Sequence, residues 1–222
     1  MSTTHRSSLQ EAIDAFQQEM LPQIPDNVAV AMQAAMTDLK QSGLENNAKT
    51  TGDSCPDFTL PNADKKAVSL NALLVKGPVV ISFYRGAWCP YCNLEINALQ
   101  TKLAAIQSHG ASLIAITPQL PDKSLGQIKE KSLGFEILSD QQNRVARQFG
   151  LVFTLPETLR PIYTSMGIDI PEHNGDDSFE LPVPATYIVG QDKKIRYAFV
   201  NVDYTRRLEP DIIIEQLEAC RT

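Results

Sequence analysis

Apolar residues recur every three or four positions in some stretches of the chain and form short unbroken runs in others, and this alternation predicts its elements. Residues 8–20 place Leu9, Ile13, Phe16 and Met20 at helical spacing behind a Ser8/Glu11 capping-box pattern, so a helix is expected up to Pro22. A second helix is expected over about 26–42, with Val28, Met32, Ala35 and Leu39 on one face and Gly43 as its stop. LENNAKTTGDS, polar and turn-rich, reads as a linker. From Pro56 the period changes. DFTL and AVSL are short strand candidates joined by a polar turn, and PVVISFY (78–84) is a β-branched run that reads as a buried strand. SLIAIT (112–117) and FEIL (135–138) follow as strands, with helices expected near 90–108, 122–132 and 141–149. Residues 151–182 read as irregular, with one short helix in PETLRPIYTSMG. ATYIV (185–189) and KIRYAFV (194–200) suggest a hairpin about Gln191 and Asp192, and 208–220 a last helix carrying Ile212, Ile213, Leu217 and Cys220. Strand–helix–strand alternation closed by a hairpin and a helix implies an α/β domain, a mixed central sheet flanked by helices. The expected organisation is an N-terminal helical extension, residues 1–45, followed by one domain, residues 46–222.

Composition narrows the function classes. The chain has 222 residues, 43% hydrophobic, and a net charge of −6. That is enough to bury a core without disulfide staples, and the charge argues against nucleic acid or an anionic membrane as partner. The start, MSTTHRSSLQEAIDAF, lacks the apolar core of a signal peptide, and no 18-residue apolar run occurs. A soluble, cytoplasmic protein is expected. In a reducing compartment the four cysteines, Cys55, Cys89, Cys92 and Cys220, are not a structural framework.

The chemistry concentrates in FYRGAWCPYC, residues 83–92. Pro90 suits the first position of a helix, which puts Cys89 at or beside the N-cap. There its sulfur would meet unpaired backbone N–H groups and the positive end of the helix dipole, a setting that lowers thiol pKa values to roughly 3.5–7.5. Arg85, four residues upstream, adds a fixed positive charge. Cys92 falls in the first turn on the face of Ile96, Leu99, Leu103 and Ile106, so Cys92 is expected buried and Cys89 exposed. A metal site is disfavoured, because His5, His109 and His173 are scattered and the other cysteines stand alone. Two buried cysteines packing as small hydrophobes are the bland alternative.

FYRGAWCPYC, taken with GDSCPDFTL (52–60) and FEILSDQQNRVARQFGL (135–151), resembles the peroxiredoxin superfamily, the alkyl hydroperoxide reductase and thiol-specific antioxidant proteins. The likeness runs from about Thr51 onward and is greatest to a CxxC-containing branch, whose members also carry segments similar to ELPVPATYIV and NVDYTRRLEP. It implies a thioredoxin-like fold. Typical members carry PxxxTxxC, with Pro and Thr shaping the pocket of the peroxidatic cysteine. On that pattern Arg85 stands at the Pro position, Cys89 at the Thr position and Cys92 at the peroxidatic cysteine. VPATY is similar to the thioredoxin pattern in which a cis-proline faces the CxxC, which would set Pro184 against the sulfurs to shape substrate contact; an ordinary trans proline entering an edge strand is the alternative. In the thioredoxin frame Cys89 attacks and Cys92 resolves; in the peroxiredoxin frame the roles reverse. Dipole and exposure favour Cys89, and the alignment favours Cys92.

The resemblance implies a thiol-dependent peroxidase acting on hydrogen peroxide or organic hydroperoxides. It would be recycled by thioredoxin or a similar dithiol, need no bound cofactor and form a homodimer. Arg85 would lower a thiol pKa or hold a peroxide oxygen. Arg206 or Arg207, in DYTRR, would replace the arginine that typical members carry elsewhere, and Trp88 would form part of a docking surface. Cys55 reads as structural and Cys220 as buried or idle. Two rival readings are a thiol–disulfide oxidoreductase acting on protein disulfides, and a redox-sensing protein whose residues 8–42 bind a partner.

Overall fold

A computed structural model describes residues 8–220, so His5 and the first seven positions of the expected extension lie outside it. Helix α1 (Leu9–Met20) starts with the anticipated capping box: Glu11 N donates to Ser8 Oγ at 3.1 Å, and Ser8 N donates to the Glu11 carboxylate at 2.8 Å. Helix α2 (Asp26–Gln41) ends before Gly43, whose φ of 71° suits a residue without Cβ. The expected linker opens with one helical turn, α3 (Leu44–Asn47).

Strands β1 (Thr59–Pro61) and β2 (Ala67–Ser69) form a hairpin, followed by a short helix α4 (Leu70–Leu74) that has no periodic signature of its own. Then come β3 (Val79–Phe83), α5 (Pro90–Ser108), β4 (Ser112–Thr117), α6 (Pro121–Lys131), β5 (Glu136–Ser139) and α7 (Arg144–Gln148). Residues 151–182 hold more order than their sequence suggests: β6 (Val152–Thr154), α8 (Arg160–Ser165), α9 (Ile170–Asn174) and β7 (Glu180–Pro182), with β6 and β7 paired antiparallel. Strands β8 (Ala185–Val189) and β9 (Ile195–Val200) form the hairpin, and α10 (Pro210–Ala219) closes the described chain.

The central sheet has the order β5-β4-β3-β8-β9; β3, β4 and β5 run parallel, and β8 and β9 antiparallel to their neighbours. β3 is buried on both faces, which is why it reads as an apolar run broken only by Ser82. Its side chains alternate: Val79, Ile81 and Phe83 enter a core with Phe58, Leu70, Phe149 and Tyr187, while Val80 and Tyr84 enter a second core with Ile96, Leu99 and Ile106 of α5.

The first two helices are tied to the rest of the fold. The Glu209 carboxylate, at the N-cap of α10, accepts from Leu9 N at 3.0 Å and Gln10 N at 2.8 Å, capping α1 from 200 residues away. Leu9 and Ile13 are buried, and Phe16 meets Tyr91 of α5 edge-on at 5.4 Å. α2 packs Met32 and Ala35 against the cluster of Leu155, Leu159 and Tyr163. Among the described residues no helix is long and apolar enough to cross a membrane.

Candidate redox site

β3 delivers the chain to the C-terminal edge of the sheet, where residues 84–89 turn into α5. Cys89 is the N-cap of α5 and Pro90 its first residue, as the spacing predicts. Cys92 lies in the first turn on the buried stripe with Ile96, Leu99, Leu103 and Ile106. Both cysteines are free thiols.

The expected inequality in exposure is absent: Cys89 and Cys92 are each 0% exposed. Cys89 is covered because Arg85 donates to its sulfur through Nη2 at 3.0 Å and is itself held over it. Arg85 Nη1 donates to the Tyr163 hydroxyl at 3.2 Å, and the guanidinium stacks 4.0 Å from the Tyr204 ring and 5.3 Å from the Trp88 ring. Tyr163 belongs to α8 and Tyr204 to the segment before α10, so remote parts of the chain close over the sulfur.

A second arginine serves the second sulfur. Arg207 Nη2 donates to Cys92 Sγ at 3.4 Å, its Nη1 pairs with the Glu95 carboxylate, and its Nε donates to Tyr204 O at 3.0 Å. Ser82 Oγ donates to the other Glu95 oxygen at 3.3 Å. Arg207 and Glu95 are both buried, at 6% and 2% exposure. Arg206, the neighbour expected at the substrate, is instead exposed, and its backbone N–H donates to Asp203 O at 2.8 Å. That bond closes a turn over residues 203–206, which leaves Arg206 outside while the following Arg207 and Leu208 are buried.

The electrostatics divide the pair. Burial alone raises both thiols. For Cys92 it is overcome by a hydrogen bond from Cys89, then by Arg207 and Arg85, and the thiol lies well below its ordinary value. Cys89 lies well above its ordinary value, first from burial and then because it is the donor to Cys92, with Arg85 opposing. This reverses the expectation from the helix terminus, because the Cys89 sulfur accepts no backbone N–H of α5. Burial pushes the Glu95 carboxyl up and Arg207 pulls it back.

Pro184 also departs from expectation. Among the described residues every peptide bond is trans, so no cis-proline faces the pair. Phe83 pairs with Ala185, which leaves Pro184, buried, just beyond the end of β3 beside Tyr84. Trp88 is half-buried, edge-on to Tyr163 at 5.8 Å and 6.5 Å from the His173 ring, and its Nε1 meets no acceptor among the described residues. Cys55 is remote from the pair, buried, its thiol pushed up to about 12 by burial and by Asp57. Cys220 is exposed at the end of α10.

Glu95, Tyr163 and Tyr204 complete the site without having been anticipated. Glu95 had a signal, an acidic residue beside Ile96 on the apolar face of α5. The two tyrosines had none.

A three-layered sheet-and-helix domain with a CxxC at the start of the helix after its central strand is a thioredoxin-fold protein. The chain belongs to the AhpC/TSA family, which residues 51–198 match. It is 35% identical over 105 residues to a putative peroxiredoxin bcp of Haemophilus influenzae, covering 47% of this chain and 67% of that protein. The corresponding protein of Buchnera aphidicola is 34% identical over 100 residues, covering 45% of this chain and 63% of that one. The chain thus spans about two thirds of the length of these curated relatives. Among solved structures, peroxidoxin BcpB of Mycobacterium tuberculosis superposes with a TM-score of 0.62 at 24% identity, over 78% of this chain and 99% of that one. A reduced 2-Cys peroxiredoxin of Plasmodium vivax gives 0.60 at 18%, over 78% and 97%. Helices α1 and α2 lie outside the residues matched to the family.

Proposed function

We propose that the chain is a thiol-dependent peroxidase that reduces hydrogen peroxide or an organic hydroperoxide through Cys89 and Cys92. The observation that carries this reading is the convergence of Arg207 and the Cys89 thiol on Cys92, the sulfur whose thiolate is favoured. The Cys92 thiolate attacks one peroxide oxygen. The O–O bond breaks, Cys92 becomes a sulfenic acid, and the second oxygen leaves as an oxyanion that takes a proton to become an alcohol or water. Arg85 and Arg207, already fixed beside the pair, stabilise that developing charge. The Cys89 sulfur then attacks Cys92: an S–S bond forms, the S–O bond breaks, and the hydroxyl leaves as water with the remaining thiol proton. One dithiol and one peroxide give one disulfide, one alcohol or water, and one further water, with no bound cofactor.

Thioredoxin or a similar dithiol returns the disulfide to the thiols by exchange, in keeping with a cytoplasmic protein. Recycling requires the oxidised state to uncover Cys89, and Arg85, with the Tyr163 and Tyr204 side chains that hold it over the sulfur, is what must move. Residues 1–45 form an extension to a catalytic domain of residues 46–222 on this reading, and the working form is a homodimer. Reduction of protein disulfides by the thiol pair is less well supported, since such exchange starts from an accessible sulfur and Cys89 has none exposed.

The test is to react the reduced protein, Cys89→Ser and Cys92→Ser with stoichiometric peroxide and to follow intact mass. A disulfide in the wild type, an added oxygen in Cys89→Ser and neither in Cys92→Ser are expected. If neither variant gains an oxygen and the wild type forms no disulfide, the peroxidase reading fails.

A further inference from the structure

A cavity of about 230 Å³ lies between α2 and the segment from β6 to α8, and it ends on Arg85. Met32, Ala35, Met36 and Leu39 of α2 form one wall and Leu155 and Leu159 the other. These side chains follow one face of α2, which has no fully buried residue although it carries an apolar stripe. Beside the contacts that Met32 and Ala35 make with the cluster of Leu155, Leu159 and Tyr163, that stripe borders a space. The polar members of the lining are Asp38, Ser42 and Thr154, all exposed, and the less exposed Tyr163, Tyr204 and Arg85; Arg85 is 3% exposed, and its Nε–H meets no acceptor among the described residues. A buried donor left unpaired is destabilising. The same guanidinium touches the Cys89 sulfur at 3.0 Å, so the polar end of the cavity adjoins the redox pair.

We propose that this cavity is the site for the hydrocarbon group of an organic hydroperoxide, and that α2 makes the protein selective for such substrates over hydrogen peroxide. The hydrocarbon lies between α2 and Leu155 and Leu159, and a peroxide oxygen accepts from Arg85 Nε–H. A mostly apolar pocket with a few polar groups is the usual make-up of a small-molecule site. Hydrogen peroxide has no apolar surface to place there and gains nothing from the walls. The α2 wall lies outside the part of the chain matched to the family, so the selectivity belongs to this chain's own segment. The inference rests on the peroxidase reading for its substrate but not for the cavity.

The experiment has two readouts. The first is the ratio of kcat/KM for cumene hydroperoxide to that for hydrogen peroxide. The second is titration of the reduced protein with 2-phenyl-2-propanol, the unreactive alcohol of cumene hydroperoxide, followed by fluorescence of Trp88, the chain's sole tryptophan, which meets the cavity residue Tyr163 edge-on. Ala35→Phe fills the cavity, and Ala34→Phe adds the same group to the solvent face of α2. Ala35→Phe is expected to lower the kcat/KM ratio at least tenfold and abolish saturable binding of the alcohol; Ala34→Phe is expected to do neither. Met36→Gln, which sets an amide into the wall, is expected to weaken alcohol binding several-fold, and it decides the matter if Ala35→Phe does not fold. An unchanged ratio, or alcohol binding that survives in the folded cavity variant, overturns the proposal. Turnover of neither peroxide by the wild type defeats the peroxidase reading and the substrate assignment together, whereas hydrogen peroxide turnover without alcohol binding defeats the cavity alone.

Discussion

Replacing Arg207 with Met separates what this arginine does for stability from what it does for the thiolate. Met keeps much of the apolar stem and removes the guanidinium that pairs with Glu95 and donates to Cys92. Glu95, 2% exposed, would retain only the Ser82 hydroxyl at 3.3 Å. Breaking a buried ion pair on one side costs about 3–5 kcal/mol, and in a chain of this size each kcal/mol lowers Tm by roughly 2–4 °C. A fall in Tm on the order of 10 °C is therefore expected. Adding Glu95→Gln removes the stranded charge and should return most of the stability. The thiolate should not return with it, because the positive charge at Cys92 is still missing: its titration, followed by thiolate absorbance or iodoacetamide reactivity, should stay shifted up in both variants. The sign of the pH dependence follows. A folded-state thiol held below the unfolded value of about 8.5 contributes stability that is fully present above that value and is lost as pH falls through the folded value. The part of the stability gap that comes from the thiolate should then narrow as pH falls. Loss of less than about 1 kcal/mol in Arg207→Met, or an unmoved Cys92 titration, would refute the assignment of Arg207 to Cys92.

Other outcomes follow from the same geometry. Cys89→Ala removes the donor to Cys92, so the Cys92 thiol should rise, and peroxide should leave a sulfenic acid trappable by dimedone with no intramolecular disulfide. In Gly86→Ala the new methyl would overlap the Trp88 indole nitrogen and the Gln119 carboxamide oxygen. Overpacking of this kind costs about 1–3 kcal/mol, and it should appear as a lower denaturation midpoint with a shifted Trp88 emission. Glu209→Ala strips two backbone donors of α1 of their acceptor and should destabilise the chain by about 1–2 kcal/mol, with faster amide exchange confined to α1 at low denaturant. Ile96→Ala, at a fully buried position behind the redox pair, should cost about 2–5 kcal/mol by chemical denaturation.

Much of this was legible in the sequence because it rests on local chain physics. Period alone locates β3 and α5, since a central strand buried on both faces is apolar along nearly all its length and a helix on a sheet needs one apolar stripe. Pro90 after Cys89 marks the helix start, and the stripe through Ile96 and Leu99 turns Cys92 inward. Ser8 and Glu11 cap α1 through atoms three residues apart. The order within 151–182 was not legible, because β6 finds its partner β7 across more than twenty residues and neither strand alternates strongly enough to announce itself.

The character of the site was decided by contacts that no local pattern encodes. A thiol at a helix start reads as the more acidic of a pair only while it can accept the helix N–H groups. Here Tyr163, Tyr204 and Arg85 close over Cys89, whose S–H donates to Cys92, while Arg207 arrives from 115 residues away to hold the thiolate. Which of two adjacent arginines turns inward, whether Pro184 is cis, and what α2 leaves unfilled all depend on how distant segments meet. Sequence alone determined that two sulfurs share the start of one helix, because spacing along a helix is local geometry. Only the tertiary structure decided which of them carries the charge, because the partners that set a buried pKa come from the whole fold.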